Sequence, residues 1–200
     1  YLKPLERVAV DRPVIFYDQL GAGRSPAPQD PALWTVERFA RELVQVREAL
    51  GLAEVHILGH SWGSMLAMDY MLTRPEGVKS LTFASPALNI SRWTQDAREL
   101  LKALPEETRA LIERHEAEGT TDAPEYQDAV MAYYGLYLSR SEPWSPDLLA
   151  AFEGFNTDLY HYMWGPSEFT ATGTLEGYDR EAELAELDLP VLFTTGRYDE

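Results

Sequence analysis

Between Val55 and Leu72 the sequence demands an abrupt change of backbone. Val55-His56-Ile57-Leu58 is a short apolar run and Gly59-His60-Ser61-Trp62-Gly63 follows it. Ser64-Met65-Leu66-Ala67-Met68-Asp69-Tyr70-Met71-Leu72 then reads as a helix. Strand, G-x-S-x-G, helix is a nucleophile elbow, a sharp turn that lifts one serine Oγ clear of a sheet edge. The bare pattern also occurs in ordinary Gly-Ser turns; the flanking strand and helix are what make it specific. The turn is expected to be crowded, so that a side chain at Gly59 or Gly63 would collide with the flanking strand and helix. The backbone N–H of Trp62, at the positive end of the helix dipole, is expected to point where an oxyanion would form.

Two hundred residues can bury one good core, or a core with an inserted lobe. The formal net charge of −16, without a basic patch, argues against nucleic acid or an anionic membrane surface as partner. No run approaches the ~18 apolar residues of a membrane helix, and no signal-peptide pattern opens the chain, so a cytoplasmic location is expected. The sequence holds no cysteine, which excludes disulfides and thiolate metal sites within these residues.

Pro13-Val14-Ile15-Phe16-Tyr17-Asp18 reads as a buried strand, followed by a tight loop at Gln19-Leu20-Gly21-Ala22-Gly23-Arg24-Ser25. The Gly-x-Gly there is not a dinucleotide fingerprint, since it lacks the third glycine and runs into Pro26 and Pro28 instead of a helix. Thr35 can cap a helix whose face is Val36, Phe39, Leu43, Val46 and Leu50, stopped by Gly51. The strand and elbow come next, with their helix running to about Arg74, and then a strand at Val78–Ala84. Strand and helix alternate with short loops, the sign of a parallel sheet. From about Asn89 to Asp188 the rhythm breaks into helices over 92–103, 106–118, 124–138 and 146–159. The sheet pattern returns at Pro190–Gly196. The expected organisation is therefore an α/β core over 1–88 and 189–200, incomplete in both parts, with a helical cap over 89–188 on the sheet's active edge.

A serine nucleophile needs a base and an orienting acid, in the chain order Ser, Asp or Glu, His. Asp199, just beyond the strand at 190–195, is the expected acid; Ser85-Pro86-Ala87-Leu88-Asn89, after the strand at 78–84, offers no competing carboxylate. The base is missing. His56 lies in a strand, and His60 sits in the elbow with its ring expected to point away from Ser61. His115 is on a charged helix, and His161 lies among aromatics; all four precede Asp199. The chain also begins almost directly before a strand and stops at Glu200. The expectation is an internal segment, truncated at both ends, with the base beyond residue 200 and a second oxyanion donor before residue 1. Such a segment alone is expected to be inactive.

Four motifs in order resemble the proline iminopeptidase family of α/β-hydrolases, which includes the tricorn-interacting aminopeptidase and L-amino acid amidases. They are Tyr17-Asp18-Gln19-Leu20-Gly21-Ala22-Gly23-Arg24-Ser25, Gly59-His60-Ser61-Trp62-Gly63-Ser64, Met163-Trp164-Gly165-Pro166-Ser167-Glu168-Phe169 and Gly196-Arg197-Tyr198-Asp199-Glu200. The resemblance implies an α/β-hydrolase fold with a mostly parallel sheet and an inserted helical cap. It also implies hydrolysis that releases an N-terminal residue, often proline, from a small peptide or an amino acid amide. By it Ser61 is the nucleophile, Trp62 N–H an oxyanion donor and Asp199 the acid. Glu168 and Glu200 fall where the family holds the substrate's ammonium, and a buried cation does need paired carboxylates. The family's upstream His-Gly-Gly-Pro-Gly type loop and downstream histidine are absent from this sequence. Most of the aromatics over 133–169 are expected to form the lobe's own core. A few at 160–169, Trp164 among them, would wall a pocket for a small ring. No metal or organic cofactor is implied. An esterase or lactonase of the same fold, or a non-catalytic ligand-binding relative, are the rival readings.

Overall fold

The computed structural model describes residues 1–199; the expectation for Glu200 lies outside them. Three parallel strands form the sheet in the order β1 (Val55–His60), β2 (Val78–Ala84), β3 (Val191–Thr194). Helix α1 (Val36–Ala49) precedes β1 and α2 (Trp62–Leu72) joins β1 to β2. Between β2 and β3 lie α3 (Ile90–Leu100), α4 (Glu106–Glu118), α5 (Pro124–Tyr137), α6 (Pro146–Glu153) and α7 (Thr157–Met163). None of the helices is long and apolar enough to cross a membrane.

The local signals account for most element ends. Thr35 Oγ1 accepts from Arg38 N–H at 3.2 Å and starts α1, and Phe39 and Ala40 are its buried residues. Leu50, expected on that face, is 55% exposed because the helix ends at Ala49 and Leu50 is already its cap. The α2 sequence is apolar all round, and Ser64 through Met68 and Tyr70 are buried accordingly.

Two expectations are corrected. Pro13–Asp18 is not a strand: it pairs with nothing among the described residues, and Ile15 and Phe16 are exposed. An apolar run supplies burial preference, but a strand also needs a partner edge, and the run does not specify one. The helix expected over 146–159 is two helices. Gly154 ends α6, and the Asn156 side-chain Oδ1 accepts from Leu159 N–H at 3.1 Å to start α7.

The core has three parts. One, around Phe83, Leu81, Met68 and Ala67, lies between α2 and the sheet. A second, around Ile112, Tyr126, Tyr133 and Phe169, is built by the helices that follow β2. The third joins the two halves, packing Phe39, Met65 and Tyr70 with Ile90, Met163, Trp164 and Tyr178.

Candidate active site

The register of the sheet sets the site. His60 is opposite Ala84, and Ala84 is opposite Thr194, so the last residues of all three strands share one rung at the carboxyl edge. The residues that follow are Ser61, Ser85 and Thr195. The rung continues past the strands: Ser61 N–H donates to Ala84 O at 3.0 Å and Ser85 N–H donates to Thr194 O at 2.7 Å.

Ser61 sits at φ 49°, ψ −117°, between β1 and the first turn of α2. Such a backbone is strained for any residue but glycine and holds only where its surroundings fix it. Buried Ser64 does much of the fixing. Its N–H and its Oγ donate to Ser61 O at 2.8 and 2.5 Å, and the same Oγ accepts from Ala87 N–H at 3.0 Å. A Cβ on Gly59 would lie 2.2 Å from Gly63 O, as the crowding requires. Gly63 departs from the expectation: beyond its chain neighbours and its own helix's backbone, a Cβ there meets no heavy atom within 4 Å.

Trp62 is the first residue of α2, so its N–H lies outside the helical ladder. Its indole donates to Gln19 Oε1 at 3.2 Å and meets Phe39 edge-on at 5.7 Å, which ties the 19–25 loop to the elbow. That loop is tight, as its sequence suggests. Asp18 accepts from Arg24 N–H at 3.2 Å, and a Cβ on Gly23, at φ 53°, would lie 2.7 Å from the Asp18 carboxyl carbon.

Asp199 reaches the same edge from the turn after β3. Its Oδ2 accepts from Thr195 Oγ1 at 2.9 Å, from Gly196 N–H at 3.1 Å and from the Ser85 hydroxyl. Sequence reasoning passed over Ser85 because it looked there for a carboxylate.

Among the described residues no histidine hydrogen-bonds Ser61 or Asp199. His56 Nδ1 pairs with Ser80 Oγ at 2.7 Å, buried His115 with Thr120 Oγ1 at 2.8 Å, and His161 is exposed. The His60 Nδ1 faces Tyr1 OH at 3.0 Å. Burial lowers the His60 pKa from its ordinary value, against an opposing pull from the Asp199 carboxylate.

Glu168 is half-buried in the turn after α7. Tyr160 OH donates to its Oε1 at 2.9 Å, and Trp93 Nε1 donates to its backbone oxygen at 3.0 Å. Burial raises its carboxyl well above the usual carboxylate range, and the Tyr160 hydrogen bond opposes that rise. Burial, and to a lesser degree the Glu168 charge, raise the Tyr1 phenol, the same hydroxyl that meets His60. Trp164 is buried edge-on against Trp93 at 5.9 Å, with its indole N–H donated to Ser167 O at 2.9 Å. Phe169 belongs to the helical core, packed edge-on against Tyr133 at 5.0 Å. Two open concavities, of about 370 Å³ between Gly21 and Asn156 and about 510 Å³ around Arg47 and Tyr70, do not include Ser61.

The chain is similar to known proteins over its whole length. A family model described as alpha/beta hydrolase fold matches residues 2–200. A proline iminopeptidase of Heyndrickxia coagulans is 48% identical over 197 residues, covering 98% of this chain and 68% of that protein. The crystal structure of VinJ superposes with a TM-score of 0.93 at 33% identity, covering 99% of this chain and 69% of that one. That of a proline iminopeptidase from Mycobacterium smegmatis gives a TM-score of 0.88 at 34% identity, covering 100% and 69%. The chain thus spans about two thirds of the length of the relatives it matches, with its elbow and parallel sheet inside that span. It belongs to the proline iminopeptidase family of α/β-hydrolases.

Proposed function

We propose that the protein is a serine exopeptidase that removes an N-terminal residue, proline or another small apolar one, from short peptides or amino acid amides. The observation that carries this reading is the shared rung, which puts the strained Ser61 and the acceptor network of Asp199 on one sheet edge. Ser61 Oγ attacks the carbonyl of the first residue and gives up its proton to a histidine. Trp62 N–H stabilises the oxyanion, and the protonated histidine hands its proton to the departing amine. Water then opens the acyl-enzyme by the reverse relay. None of His56, His60, His115 and His161 hydrogen-bonds Ser61 or Asp199 among the described residues, which favours a base outside residues 1–200. Residues 1–200 by themselves are then expected to be inactive.

Selectivity for a free amino group rests on Glu168 with Glu200. A desolvated carboxylate is a poor resident by itself and a good partner for a desolvated ammonium, which favours its ionised form. Trp164, locked by its indole hydrogen bond, backs the pocket for the first side chain.

The test compares prolyl-p-nitroanilide with its N-acetylated form on the full-length protein, wild type and Glu168→Gln. The free amine is expected to be cleaved and the blocked one not. Glu168→Gln should lower kcat/KM on the free amine about 100-fold, the scale of one unpaired buried charge. Equal cleavage of blocked and free substrates would overturn the exopeptidase reading in favour of a general esterase or amidase. No turnover of these or of simple esters would favour a ligand-binding relative.

A further inference from the structure

Asp199 Oδ2 accepts three hydrogen bonds, and their origins differ. Thr195 and Gly196 belong to the same turn as Asp199, so they fix the carboxylate to the end of β3. They say nothing about where β3 stands relative to Ser61. The Ser85 hydroxyl comes from β2, the strand between the other two. Ser85 directly follows Ala84, whose carbonyl accepts from Ser61 N–H. Ser85 is thus the donor that links the acid to β2, the strand to whose end Ser61 is hydrogen-bonded.

We propose that Ser85 is a positioning residue, one that sets the separation of Asp199 from Ser61 without touching substrate; the assignment rests on the triad reading above. With Oδ2 occupied by three donors, Oδ1 has none among the described residues and is left to accept from the base imidazole. The backbone at Ser85 agrees with a role for its hydroxyl. Its φ is 46°, in the left-handed region, where glycine would sit without strain and serine does not. What serine adds there is the donor.

Two variants of the full-length protein separate positioning from structure. Ser85→Gly deletes the hydroxyl and relieves the backbone; Ser85→Ala deletes the hydroxyl and keeps the strain. Both are expected to lower kcat about 10-fold, with KM changed less than twofold, the effect of losing one charge-assisted hydrogen bond. The glycine variant should melt no lower than the alanine variant. With one donor gone, Asp199 carries more charge toward the imidazole, so the acid limb of the kcat/KM profile should move up by about half a pH unit. A glycine variant with wild-type kcat and an unmoved acid limb would overturn the assignment even if alanine failed to fold. Retained activity in Ser61→Ala would overturn the triad reading itself, and the Ser85 role with it.

Discussion

A methyl group at position 59 would lie 2.2 Å from the carbonyl oxygen of Gly63, whereas one at 63 would meet no heavy atom within 4 Å. The two glycines of the elbow therefore differ in what they protect. Gly59 lets β1 and α2 approach, and nothing on the opposite side is a flexible side chain that could yield, since the obstructing atoms are all backbone. Gly59→Ala is expected to cost more than about 4 kcal/mol and to leave no cooperative thermal transition. Gly63→Ala should fold and melt within a few degrees of the wild type, because a helical alanine offsets what little the site loses. Parallel thermal melts decide it, and a folded Gly59→Ala protein would contradict the packing described. Ser61 poses the complementary case. Its φ of 49° is retained because Ser64 holds its carbonyl twice, so the strain is kept by a neighbour three residues away.

Elements hold together here through backbone carbonyls as much as through apolar faces. Arg47, in the last turn of α1, donates to Leu52 O at 3.1 Å and to Ala53 O and Glu76 O at 3.0 Å, and it also reaches the Tyr70 hydroxyl. One side chain thus joins α1, the entry to β1, α2 and the entry to β2. Arg47→Met keeps the apolar stem and removes every donor; we expect a loss of about 3 kcal/mol in chemical denaturation. What the sequence made legible follows the reach of each signal. Thr35 and Pro124 act within one helical turn, so those helix starts could be placed from neighbours alone. The break between α6 and α7 at Gly154 stayed hidden because a lone glycine inside a helical pattern is tolerated as often as it ends one. Pro13–Asp18 was misread because a strand is a relation between two segments. The strand and helix of the elbow were plain, being local, and the place of Asp199 just beyond a strand followed from the apolar run before it. Ser85 stayed hidden, since its meaning depends on a carboxylate 114 residues later.

At the level of the whole molecule, the sheet and the helical segment are stitched by a shared core and by a polar tie. Tyr178 OH donates to Asp69 Oδ2 at 2.6 Å and Arg180 to Asp69 Oδ1 at 3.1 Å, joining α2 to the return toward β3. Against this frame the raised carboxyl of Glu168 is a cost that depends on pH. Below the ordinary glutamate pKa both folded and unfolded chains are protonated there and nothing is lost. Above it the unfolded chain ionises first, so stability falls as pH rises, until the folded carboxyl ionises as well. Glu168→Gln should therefore melt with the wild type near pH 4 and a few degrees above it at pH 8. Coincident melting at both pH values would show that the carboxyl is not desolvated. The rung of strand ends also has a consequence for biosynthesis. The elbow and β2 leave the ribosome as one contiguous unit, and the helices follow. The acid's clamp then closes a separation of 114 residues, at a chain-entropy cost of about 4 kcal/mol. If Ser61 and Asp199 act as proposed, a nascent chain carries Ser61 without the carboxylate that orients its partner until residue 199 has been made, and so emerges disarmed among the other growing polypeptides of the cell.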